Sequence, residues 1–165
     1  MISLRALPRP LRASLSLFLV SAILGFAVGL LLEFRRTGMS RSGLSTHLRG
    51  DGEFAPPMEL DTLLAITHPH AAMVPLLLLA SSLPFLLGRR ASDREKTLAV
   101  AAAWGGLFLS IGAHWLVRFH GPGWFPAYSA GGILFTVGFL WPSLRALQEL
   151  WGAREAGAES LFGRP

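Results

Sequence analysis

The chain contains no cysteine, and charge is scarce: ten acidic and fifteen basic side chains among 165 residues. Missing thiols exclude disulfides, thiolate metal sites, iron–sulfur clusters and covalently attached c-type haem. Any bound metal would have to use His, Met or carboxylate. Charged residues are 15% of the sequence against 52% hydrophobic ones, and mean hydropathy is +0.47, more apolar than a soluble globular domain tolerates. The apolar residues gather in blocks. Cutting the chain at its charges leaves uncharged stretches of 20 residues (Ala13 to Leu32), 27 (Thr62 to Gly88), 21 (Thr97 to Val117) and 26 (Phe119 to Leu144). Each can cross a hydrocarbon core roughly 30 Å thick.

These stretches predict an all-α fold, an integral membrane four-helix up-down bundle forming a single domain. The expected spans are residues 13–34, 69–88, 97–118 and 127–147, with an outer loop over about 35–66 and a flexible tail at 152–165. The N-terminus resembles a signal peptide superficially, since Arg5, Arg9 and Arg12 precede an apolar run. That run is too long for a typical h-region and ends in Glu33-Phe-Arg-Arg36 without a small-residue cleavage pattern, so it reads as the first span. Ten Arg and Lys fall on the side of the two termini and five on the other, and the positive-inside rule therefore expects both termini in the cytoplasm. The basic balance, with a pI near 11.2, reads as topology signals and lipid headgroup anchors, with no nucleic-acid partner.

Prolines shape the outer loop. Phe54-Ala-Pro-Pro-Met58 is expected to be extended, and Glu59-Leu-Asp61-Thr62 reads as a helix start with acid in its first turn. A short interfacial helix is expected near Leu60 to Ile66, with a kink at Thr67 to Pro69 and a second bend at Pro75. Gly25 and Gly29 in the first span, Gly105, Gly106 and Gly112 in the third, and Gly131, Gly132 and Gly138 in the fourth are candidates for close helix approach. Trp115, Trp124, Trp141 and Trp151 fall near expected interfaces, as an aromatic belt requires.

The five histidines are the informative feature. His47 lies in the outer loop, His68 and His70 at the start of the second span, His114 late in the third, and His120 just after it. Antiparallel spans bring all five to the outer side. His114 precedes Arg118 by four residues, which places it roughly 6 Å inside the charged boundary and on the same helix face. Ionisable residues at such depth usually face a bundle interior and serve a site. His120, in the turn His120-Gly-Pro-Gly123, reads as a solvated loop residue.

The chain resembles a family of small four-helix bacterial inner-membrane proteins of uncharacterised activity. The resemblance covers roughly Thr46 to Trp151. It rests on His47-Leu-Arg49-Gly50, on an acidic run leading into Thr67-His68-Pro-His70, on Pro75, and on Gly112-Ala-His114-Trp115-Leu-Val-Arg118. Pro69 stands where the family has an aliphatic residue, and His114 where it has an aromatic one. The resemblance implies a multi-pass protein of the bacterial inner membrane with a shared outer site.

Two functional readings follow. In the first, the outer face holds b-type haem or a Cu or Zn ion serving membrane electron transfer. His68 or His70 opposite His114 would supply axial ligands, with Arg49 and Arg118 at the rim to neutralise propionates. Residues two apart on a helix point about 200° apart, so His68 and His70 cannot both serve one haem face from a regular helix. An extended segment at Pro69 would instead let His68 and His70 chelate Cu or Zn, with His47 as third ligand. The first and last spans hold no histidine, which counts against a diheme arrangement. In the second reading the protein is a non-catalytic accessory or assembly subunit of a respiratory-type membrane complex, its histidines structural or in contact with a quinone. Enzyme chemistry finds little support, since neither a Ser/His/Asp set nor paired carboxylates fall within the spans. A transporter would call for duplicated halves, which the sequence does not show.

Overall fold

The computed structural model describes residues 2–152. Five α-helices succeed one another among them: α1 (Arg9–Thr37), α2 (Arg41–Arg49), α3 (Leu60–Leu87), α4 (Asp93–His120) and α5 (Phe125–Trp151). Short 3-10 turns at Leu4–Ala6 and Pro122–Trp124 precede α1 and α5. α1, α3, α4 and the segment Pro122–Trp151 are each long and apolar enough to cross a membrane. The 28 residues of α3 or α4 extend about 42 Å, more than the hydrocarbon core requires. The tail expected to be flexible lies, beyond Gly152, outside the described residues.

Cross-chain hydrogen bonds fix the up-down order. At one end, called proximal here, Ile2 N–H donates to Leu87 O at 2.9 Å and Arg12 Nη1 to Leu150 O at 3.3 Å, joining the start of α1 to the ends of α3 and α5. At the opposite, distal end, Tyr128 Oη donates to Glu33 at 2.6 Å and Trp115 Nε1 to Thr67 Oγ1 at 3.0 Å. The termini side and the histidine side of the sequence reading are thus opposite ends of one bundle.

Local chemistry explains the helix limits. Ser92 caps α4 in a capping box with Glu95, each side chain serving the other's backbone N–H. Ser40 caps α2 by accepting from Gly43 N–H at 3.0 Å. α2 stops at Gly50, whose φ of +74° and contact with the Ala55 carbonyl leave no room for a Cβ. This short helix was absent from the sequence reading of the loop. Its Leu44 and Leu48 are buried with Leu63 and Val117 under the distal end, so the loop is a packed cap.

α3 differs from expectation. The short helix and the span form one continuous element from Leu60 to Leu87, with Pro69, Pro75 and Pro84 inside it. Each proline removes one N–H donor, a loss that membrane helices tolerate because neighbouring groups re-satisfy the backbone. Beside the carbonyl of Ala65 that Pro69 leaves free, His70 Nδ1 lies 2.7 Å from Ile66 O.

α4 and α5 pack most closely. A Cβ on Gly106 would strike the backbone of Phe135, one on Gly138 the backbone of Ala103, and one on Gly131 the backbone of Ser110. Gly25, Gly29, Gly105, Gly112 and Gly132 face open space, so only three of the eight expected positions carry close approach. α1 lies loosely on this core, with only Leu19, Ala22 and Thr37 buried. Its exposed Leu17, Leu24, Val28 and Leu31 suit a lipid environment.

Candidate functional site at the distal end

Glu33 comes within the last two turns of α1, after 20 uncharged residues. Its carboxylate accepts the Tyr128 hydroxyl of α5 at 2.6 Å, and Thr37 Oγ1 lies 3.4 Å from the same oxygen. Thr37 is buried, donates its hydroxyl to Glu33 O at 2.9 Å and accepts Met39 N–H at 3.1 Å, which holds the turn between α1 and α2. The Tyr128 ring meets His114 of α4 edge to face, with centroids 5.0 Å apart. His114 Nδ1 lies 2.9 Å from Ser110 O one turn back, which leaves Nε2 as the ring's free polar atom for the tautomer with Nδ1–H.

His47 projects from α2 into this group. It is half-buried, and burial holds its pKa below the usual 6.5; Arg36 and His114 push it down further, while Glu33 pulls the other way. α2 packs against α4 at this end, which brings His47 within electrostatic reach of Glu33 and Arg36. The structure gathers His47 and His114 with Glu33 and Tyr128.

His68 and His70 are not in that group. Both are exposed on α3, just after Thr67, whose hydroxyl accepts the Trp115 indole N–H. The inward-facing residue of Thr67-His-Pro-His70 is thus the threonine. Among the described residues no group of three or more His, Asp or Glu side chains is arranged to hold a metal ion. His120 is exposed, but it is the last residue of α4 and not part of the turn expected to hold it.

The two rim arginines hold the cap. Arg118 Nε donates to Met58 O at 3.0 Å, with its guanidinium 5.2 Å from the Phe119 ring centroid. Arg49 Nη1 donates to Arg118 O at 3.2 Å. Asp51 accepts the backbone N–H groups of Glu53, Phe54 and Ala55, the last two at 2.8 Å, which keeps its carboxyl below the usual range. Asp51 is therefore the pivot of the loop turn.

Sequence reasoning missed Glu33 and Tyr128. A signal existed for both. Glu33 is the first carboxylate of the chain and closes its most apolar helix, and Tyr128 is the single tyrosine. Taking Glu33 as a boundary charge and ranking sites by histidine alone hid the pair.

Four apolar helices, a polar cluster at one end and a packed cap define a multi-pass membrane protein. A family model described as a transmembrane helical domain matches residues 38–157, which is 120 of the 165, and the chain belongs to that family. The match begins at Gly38, just past the end of α1, and takes in α2 through α5. No curated protein and no solved structure matches the chain.

Proposed function

We propose that this protein is a non-catalytic accessory or assembly subunit of a respiratory-type complex in the bacterial inner membrane, with both termini cytoplasmic. The observation that carries this reading is the exposure of His68 and His70 on α3, inside an uncharged stretch of 27 residues. An imidazole facing hydrocarbon is costly, and although His70 Nδ1 meets Ile66 O within the chain, its Nε2 and the His68 ring call for polar partners from outside it. A neighbouring helix, or the carbonyl of a quinone headgroup, can accept the N–H of a neutral imidazole. The distal cluster of Glu33, His47, His114 and Tyr128 then serves structure, anchoring α1 and α2 to α4 and α5. The test is native electrophoresis of mildly solubilised membranes. Wild-type protein should migrate in an assembly larger than itself, and His68→Leu with His70→Leu should release it. Wild-type migration as an isolated chain would refute the reading.

A second reading keeps the metal or haem site, and the presence of His47 and His114 at the same end of the bundle favours it. Cu or Zn would require His68 and His70 to turn from the exposed side of α3 toward His47 and His114, and haem would require one of them to turn toward His114. Arg49 and Arg118, already bound to carbonyls, would be the rim cations. An optical spectrum and metal analysis of the purified protein decide. A Soret band or stoichiometric Cu or Zn selects this reading, and the absence of all three leaves the accessory role.

A further inference from the structure

Phe54 stands out from the distal cap. It is 89% exposed, more than any other large apolar side chain among the described residues, and Pro56 and Pro57 are exposed beside it. The backbone builds this exposure in. Asp51 Oδ1 accepts the N–H groups of Glu53, Phe54 and Ala55, and Asp51 N–H donates to Ala55 O at 3.2 Å. A Cβ on Gly50 would strike the Ala55 carbonyl and the backbone of Pro56 and Pro57, so the chain returns close against the end of α2. On the other flank, Met58 N–H donates to Leu48 O at 3.1 Å and Met58 O accepts Arg118 Nε at 3.0 Å. The segment is fastened at both ends, to α2 and to α4.

Between the fastenings the prolines remove freedom. Their rings fix φ at about −65° in Pro56 and Pro57, and a following proline drives Ala55 and Pro56 to extended ψ. Glu59, with φ −64° and ψ 149°, continues that conformation to the start of α3. Met58 packs on the buried cluster of Leu44, Leu48, Leu63 and Val117, while Phe54 is held away from it. Charge around the segment has one sign along the chain. Asp51, Glu53, Glu59 and Asp61 fall between Arg49 and Arg89, where the sequence has no lysine or arginine. Asp51 is engaged in the turn, and Glu53, Glu59 and Asp61 are exposed. Arg49 and Arg118 donate to the carbonyls of Arg118 and Met58.

We propose that Phe54 to Pro57 is a docking segment for a partner protein at the distal side of the membrane, and that it enters a groove lined by aromatic side chains and rimmed by lysine or arginine. Proline-rich segments dock in aromatic grooves, and a backbone already ordered lowers the entropy cost of binding. The Phe54 ring is the apolar anchor, and Glu53 and Glu59 face the basic rim. Carboxylates on both sides of the segment are repelled by anionic lipid phosphates, which favours a protein over the bilayer surface as the occupant. The proposal rests on the accessory-subunit reading and adds a contact outside the bilayer to those of His68 and His70 within it.

The test is photocrosslinking of the full chain in its own membranes with Phe54→p-benzoylphenylalanine, followed by native electrophoresis in one dimension and denaturing electrophoresis in the second. One discrete protein adduct should form within the assembly that wild type enters. Its yield should fall about tenfold when Glu53→Lys and Glu59→Lys are added; Glu59 makes no side-chain cap bond, so α3 keeps its start. Without the photoreactive group, Phe54→Ser should weaken the assembly about tenfold while the thermal unfolding of the purified chain stays unchanged, because the ring is solvated. An adduct of lipid, a protein adduct indifferent to charge reversal, or an intact assembly without an adduct would overturn the proposal and leave the accessory reading standing. The same adduct in equal yield from Met39→p-benzoylphenylalanine, at the exposed turn between α1 and α2, would also overturn it. Wild type migrating alone would refute the accessory reading and this contact with it.

Discussion

The hydroxyl of Tyr128 and the carboxylate of Glu33 meet at 2.6 Å although 95 residues separate them, and this bond ties the distal end of α1 to α5. α1 has few other buried contacts, with Leu19 and Ala22 alone buried along its apolar length. The pair is the distal counterpart of the Arg12–Leu150 and Trp151–Ser16 bonds at the other end and of the packing of Phe26 on Phe135 and Phe139 between them. Tyr128→Phe strands a carboxylate that Thr37 serves poorly at 3.4 Å, and should cost about 1–3 kcal/mol. Glu33→Gln keeps an acceptor for the hydroxyl and should cost less. Thermal unfolding in detergent ranks the two, and the reverse order would show that the pair does not hold α1.

Close packing of α4 on α5 makes a sharper forecast. Gly106→Ala and Gly138→Ala place a methyl against backbone that cannot move aside, and each should cost about 1–3 kcal/mol. Gly105→Ala and Gly25→Ala enter open space and should be neutral. The same unfolding measurement compares them, and matching losses at Gly105 and Gly106 would contradict the helix rotation described above.

His47 makes the cap on the distal end acid-sensitive. Its pKa is lower in the folded chain than the usual 6.5. Above that value both folded and unfolded states hold a neutral imidazole, and His47 adds no pH dependence. Below it the unfolded state takes up the proton first, so stability falls with pH and the full loss is present below the folded value. Hydrogen exchange in Arg41–Arg49 should quicken as pH drops from 7 to about 5 after correction for intrinsic rates. His47→Gln should flatten that trend.

The ten-to-five division of Arg and Lys predicts that the distal end faces outward. Cysteine introduced at Ser42, in α2, should react with an impermeant thiol reagent in intact cells, and cysteine at Ser92, the cap of α4, only after lysis. Labelling at position 92 alone would invert the orientation.

Four spanning helices were legible in the sequence because a bilayer imposes a length on uncharged runs, and the runs from Ala13 and Thr97 meet it with 20 and 21 residues. Antiparallel connection then forced the histidines to one end, since chain order and span number alone decide which end a residue occupies. Rotation of each helix about its axis was not legible. Every face of α3 is apolar, so only packing through Leu63, Thr67 and Leu78 decided that His68 and His70 stay exposed and that threonine turns inward. Glycine offers the same lesson, because Gly105 and Gly106 are identical as letters, yet one meets open space and the other the backbone of Phe135. The meeting of Glu33 with Tyr128, His47 and His114 required α1, α2, α4 and α5 to be in place, and no spacing along the chain encodes a contact that four separate elements create.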